Sequence, residues 1–131
     1  MLAPVLVDAV PDAAFDPVAF RITPAAPTRL VQGGDVIDLG GRRLQVVDLP
    51  GHTPGSIGMI DEAEGALLSG DAVYDGGLID SLPESDVETY VRTMERLRTL
   101  QVDAVYPGHG DPFGQAHLRA LAEAYIREQA G

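Results

Sequence analysis

Two runs rich in β-branched residues flank a pair of glycines in the first half of the chain: Asp35-Val-Ile-Asp-Leu39, then Gly40-Gly41, then Arg42-Arg-Leu-Gln-Val-Val-Asp-Leu49. Glycine reaches the positive φ that a tight hairpin turn demands, so this pattern predicts two antiparallel strands joined at Gly40-Gly41. A second pair of strands is expected at Ser56 to Ile60 and Ala66 to Ser69, across the polar turn Asp61-Glu-Ala-Glu-Gly65. The four together read as a β-meander over residues 35 to 70.

Further on the period changes from two to helical. Val87, Tyr90, Val91, Met94, Leu97 and Leu100 predict an amphipathic helix over about 86 to 100, with Ser85 as N-cap and Glu88 three residues on. Val102 to Tyr106 reads as a short strand and Pro107 to Gly114 as a loop. Leu118, Leu121, Ala122, Tyr125 and Ile126 mark a terminal helix over about 115 to 128. Both helices are expected on one face of the sheet, an α+β arrangement. The prolines at 4, 11, 17, 24 and 27 break regular structure, so residues 1–28 read as an extended arm and residues 29–131 as the folded domain.

The chain has 131 residues, room for one core, and its 45% hydrophobic content is that of a globular protein. Its nine basic residues, all Arg, face 20 acidic ones for a net charge of −11, which opposes binding to nucleic acid or an anionic membrane surface. The first ten residues carry no basic charge and are interrupted by Pro4 and Asp8, unlike a signal peptide. No run approaches the ~18 apolar residues of a membrane span, and a cytoplasmic location is expected. Without cysteine there can be no disulfide, thiolate nucleophile or sulfur-bound zinc, so any metal must rest on His and carboxylate.

Three loops offer such side chains, each after a strand and each beside small residues. They are Leu49-Pro-Gly-His-Thr-Pro-Gly-Ser56 with His52, Ser69-Gly-Asp-Ala-Val-Tyr-Asp-Gly-Gly77 with Asp71, and Tyr106-Pro-Gly-His-Gly-Asp111 with His109. Singly, each is a short pattern that an ordinary turn also satisfies. Although 19 and 38 residues separate the three along the chain, strand-end loops on one sheet edge would bring them together.

In order and context these loops resemble the C-terminal half of the metallo-β-lactamase fold, over about residues 29 to 125. The resemblance implies a metal-dependent hydrolase in which zinc-activated water attacks an ester, thioester, lactone or amide carbonyl of a small-molecule substrate. It implies His52 as ligand of a first metal, Asp71 as the carboxylate bridging two metals and His109 as ligand of the second. Asp71 and Tyr74 are the implied catalytic residues. Tyr74 matches the tyrosine that contacts the substrate carbonyl in the lactonase branch, or else packs as a strand-edge residue on the core.

The family's N-terminal His-x-His-x-Asp-His motif is absent; the histidines here are His52, His109 and His117, the last read as a solvated side chain of the terminal helix. One half of an αββα sandwich is therefore expected, with at most one zinc held weakly where the family holds two, and little or no hydrolase activity from this chain alone. The alternative is a non-catalytic truncated remnant or interaction module. Val36, Leu44, Val46, Ile57, Met59 and Leu67 would lie on strands lacking part of their cover, so a homo-oligomer or a missing N-terminal half is expected as partner.

Overall fold

The structure is a computed structural model that describes residues 12–16, 19–21 and 23–131. The expectations for Met1 to Pro11 lie outside the described residues. Two compact units are present, Met1–Leu30 and Val31–Gly131. In the first, the Asp12 carboxylate accepts from Ala14 N–H at 2.8 Å, and the Phe15 and Phe20 rings lie 5.8 Å apart.

The second unit holds a six-stranded sheet in sequential order: β1 (Val36–Asp38), β2 (Arg43–Asp48), β3 (Ile57–Asp61), β4 (Ala66–Gly70), β5 (Ala104–Pro107) and β6 (Phe113–Gly114). β1 to β4 form the expected antiparallel meander, and Leu39 N–H closes the first hairpin on Arg42 O at 2.8 Å around Gly40, whose φ is +88°. After β4 the chain crosses through helix α1 (Val87–Thr99) and returns as β5 parallel to β4, and helix α2 (Gln115–Gln129) follows β6. The two-residue β6 falls in the stretch expected as loop; so short a strand leaves no alternation to detect.

Register explains where the core sits. Gln45, Ile60, Leu67, Val105 and Phe113 lie opposite one another in turn and share one sheet face. That face meets Tyr90, Met94 and Leu97 of α1 and Leu118, Ala122 and Tyr125 of α2 in a single core. The opposite face carries Leu44, Val46, Ile57, Met59, Leu68 and Tyr106, of which Leu44, Ile57, Met59 and Leu68 are only half-buried and Tyr106 is 51% exposed. The expected list of under-covered residues mixed the two faces: Leu67, fully buried, belongs to the helix side, and Val36 shares its row through Gln45; Val46, on the face away from the helices, is also fully buried.

At the start of α1 the cap is Asp86 rather than Ser85: its carboxylate accepts from Thr89 N–H at 2.6 Å, while the Ser85 hydroxyl donates to His52 O at 2.8 Å. Serine and aspartate compete equally for an N-cap, and the tertiary contact claims the serine. No helix among the described residues is long and apolar enough to cross a membrane.

Asp61, the last residue of β3, is buried, and pairs with the Arg42 guanidinium while accepting from Ala63 and Glu64 N–H at 3.1 and 3.2 Å. The Arg42 hydrogen bond holds its carboxyl below the usual range, overcoming the opposing effect of burial. A depressed folded-state pKa contributes stability that is present above the unfolded value near ~3.9 and is lost as pH falls through the folded value. In acid titration followed by circular dichroism, Arg42→Gln is expected to unfold at higher pH than the parent. An unchanged acid midpoint would show that the pair contributes nothing.

Candidate functional site

β2, β4 and β5 all run in the same direction, because β2 and β4 are each antiparallel to β3 and β5 is parallel to β4. Their C-terminal ends therefore open on one edge of the sheet, and from that edge the loops bearing His52, Asp71 and His109 emerge.

The first loop is closed at its neck by Leu49 N–H to Ser56 O at 2.8 Å. Its outer side is fastened to the start of α1, through Asp86 N–H to Gly51 O at 3.0 Å and the Thr93 hydroxyl to Pro50 O at 2.6 Å. Gly51 has φ +138°, and a Cβ there would overlap the backbone and Cβ of Tyr90, so loop and helix touch with no room for a side chain. His52 is thereby held with its ring 12% exposed. Its Nδ1 lies 2.8 Å from Ile79 O. A carbonyl only accepts, so Nδ1 carries a proton, and in the neutral imidazole the lone pair lies on Nε2.

Asp71 follows β4 in a turn stabilised by the buried Ser69 hydroxyl, which donates to Val73 O at 2.8 Å. Gly108 N–H donates to Gly70 O at 2.8 Å and draws the third loop against the second. A Cβ at Gly108 would overlap the Asp71 carboxylate, which makes this glycine part of the site although nothing in the sequence distinguished it from a turn residue.

The three side chains converge. Asp71 Oδ2 lies 3.9 Å from His52 Nε2, and Asp71 Oδ1 lies 3.2 Å from His109 Nε2. The carboxylate thus turns one oxygen toward each imidazole, with its side chain 41% exposed and that of His109 68% exposed. Nitrogen and oxygen donors of this kind suit zinc or iron. Among the described residues, however, no three His, Asp or Glu side chains gather closely enough to hold one ion. One imidazole on either side of a single carboxylate offers fewer than the roughly three protein ligands of a catalytic metal site.

Tyr74 is buried, its ring 5.8 Å from that of His109. Its hydroxyl donates to Gly77 O and accepts from Ile79 N–H, both at 3.0 Å. His117 stands apart from the three: its Nε2 lies 3.1 Å from Asp75 Oδ2 and its ring is edge-on to Phe113 at 5.2 Å, so it is paired rather than simply solvated. The Ile79 carbonyl and Ser85 also escaped sequence reasoning. A backbone acceptor has no side-chain signature, and Ser85 had a competing local role.

Residues 3–109 match the family model of the metallo-beta-lactamase superfamily. Over 111 residues the chain is 49% identical to the human acyl-coenzyme A thioesterase MBLAC2, covering 82% of this chain and 40% of that protein. It is 34% identical to the hydroxyacylglutathione hydrolase GloC of Haemophilus influenzae, over 60% of this chain and 39% of that protein. Among solved structures it is similar to TTHA1623 in a di-iron-bound form, with a TM-score of 0.63 and 32% identity over 74% of this chain and 48% of that one. The chain spans about 40% of the length of these curated relatives.

Proposed function

The chain belongs to the metallo-beta-lactamase superfamily, a family of hydrolase fold with metal-binding members, and on that premise we propose that it is the C-terminal portion of a cytoplasmic zinc-dependent thioester hydrolase. The observation that carries this reading is the Asp71 carboxylate, whose two oxygens face two different imidazoles at 3.9 and 3.2 Å. A carboxylate set between two histidines is what a ligand common to two metal positions requires. In this reading His52 Nε2 serves the first position, His109 Nε2 the second, and Asp71 both. Metal ions held there would lower the pKa of a water toward neutrality and polarise a carbonyl.

Thioester chemistry is the reading supported by the relatives, since acyl-coenzyme A and hydroxyacylglutathione both join an acyl group to sulfur. Tyr74 contributes by position. Its hydroxyl is spent within the 74–79 loop, which supports a role in holding that loop over direct contact with the substrate carbonyl.

The ligands missing from each position must come from another half of the sandwich, and the half-buried apolar face of the sheet is where that half would pack. The incomplete ligand set also favours a second reading for the chain by itself, a non-catalytic module that keeps the loops without assembling two metals. Complementation tests the proposal. The chain is co-expressed with the part of the human thioesterase that the match leaves uncovered, and the assembly is assayed on acyl-coenzyme A with zinc. Hydrolysis above that of either piece alone, abolished by Asp71→Ala, is the expected result. An assembly that takes up two zinc ions yet cleaves no thioester would overturn the substrate class.

A further inference from the structure

His52 depends for its orientation on the carbonyl of a residue that has little packing of its own. Ile79 is 47% exposed and follows Asp75-Gly-Gly77, a stretch that is itself exposed and whose Gly76 takes φ +139°. A loop of this kind does not hold a backbone oxygen in place by burial. Hydrogen bonds hold it from two sides. On one, Ile79 N–H donates to the Tyr74 hydroxyl at 3.0 Å. On the other, the neighbouring Asp80 is gripped by α2: the Tyr125 hydroxyl donates to Asp80 Oδ2 at 2.9 Å, and Gln129 Nε2 donates to the same oxygen at 3.3 Å.

Tyr125 reaches the second loop as well. Its ring lies 4.8 Å from that of Tyr90, whose hydroxyl donates to Ala72 O at 2.9 Å, one residue beyond Asp71. Burial, and then the nearby Asp80 carboxylate, push the Tyr125 phenol well above its ordinary value, so it remains a neutral donor over the accessible pH range. An aromatic residue on the last helix is thus connected to two of the three loops that converge at the sheet edge.

We propose that Tyr125 and Asp80 are positioning residues for His52: by clamping the 77–80 loop to α2 they fix the Ile79 carbonyl, which keeps the His52 proton on Nδ1 and presents Nε2 to the site. This rests on the proposed metal role of His52 for its consequence, and stands apart from it for its geometry. Removing the Tyr125 hydroxyl leaves Asp80 without its closest partner and frees the Ile79 carbonyl to drift. His52 then samples both tautomers, and the fraction with a free Nε2 falls. Outer partners that orient a ligating histidine typically change metal affinity about 10–100-fold.

The test uses the metal-free chain, labelled with nitrogen-15, in long-range imidazole spectra near pH 8.5, above the ordinary histidine range of about 6.5. The parent is expected to show His52 as the Nδ1–H tautomer. Tyr125→Phe keeps the ring against Tyr90 and is expected to show a mixture, with amide protection of α1 and α2 unchanged and zinc affinity about tenfold weaker. Asp80→Leu, in a half-exposed loop position, asks the same question should Tyr125→Phe fail to fold. Asp80→Asn, which still offers an oxygen to Tyr125, is expected to restore the parent tautomer.

Retention of the Nδ1–H tautomer and of zinc affinity in a folded Tyr125→Phe or Asp80→Leu would overturn the proposal. Loss of the tautomer in the variants, with no zinc uptake even by the parent, would support the clamp while removing the metal reading of His52.

Discussion

Gly51→Ala is expected to destabilise the domain by about 2–5 kcal/mol. Two costs combine: a positive-φ backbone disfavours any L side chain by about 1–2 kcal/mol, and forcing a methyl into a filled space typically costs about 1–3 kcal/mol. At Gly51 the methyl would meet the Cα and Cβ of Tyr90 in the first turns of α1, and a helix backbone cannot rotate away as a flexible side chain could. For a domain of this size, about 1 kcal/mol lowers the melting temperature by about 4–8 °C, so a fall of about 10 °C or more is expected. Gly55 lies in the same loop with open space where its Cβ would be and no positive φ, and Gly55→Ala is expected to change little. Calorimetry of the two variants checks this. Equal, small effects would show that the loop carrying His52 is not pressed against α1.

At moderate salt the isolated chain is expected to sediment as a dimer or larger species rather than as a monomer. Leu44, Ile57, Met59 and Leu68 line the sheet face away from the helices and are only half-buried, and Tyr106 beside them is 51% exposed. Burying apolar surface contributes roughly 25 cal/mol per Å², so several hundred Å² on such a face would be worth several kcal/mol before the cost of association. The net charge of −11 opposes contact between copies. Charges on the outer surface are screened beyond about 10 Å at this salt, whereas the apolar contribution is not. Leu68→Asp is expected to shift the population to monomer, because it places a charge in the middle of the face. A parent chain that stays monomeric and binds no dye for exposed apolar surface would contradict this.

Much of the fold was legible because its signals are local and periodic. Alternation identified the meander, the Gly40-Gly41 pair its first turn, and helical spacing the two helices, with ends displaced by one or two residues. Parallel pairing of β4 with β5 is a long-range event without a local pattern, and it is this pairing that sets Asp71 beside His109. His52, Asp71 and His109 could be nominated because each combines a metal-binding side chain with flanking glycines at a strand end. What orients them could not. The Ile79 carbonyl, the Gly108 close approach and the Tyr125–Asp80 contact each depend on backbone positions or on partners about 30 to 45 residues apart, and none changes the composition of the loops themselves. The face assignments of Val36 and Leu67 failed for a related reason. Alternation fixes which residues of one strand share a face, and only the register between strands says which face meets the helices.

The most direct measurement is calorimetric titration of the chain with zinc, beside Asp71→Ala and His52→Ala. On the proposed reading, three ligands divided between two positions are expected to take up at most one equivalent, weakly, and the heat is expected to fall to background in Asp71→Ala, since that carboxylate would serve both positions. Two tight equivalents in the parent, or uptake untouched by Asp71→Ala, would contradict a half-centre built around Asp71.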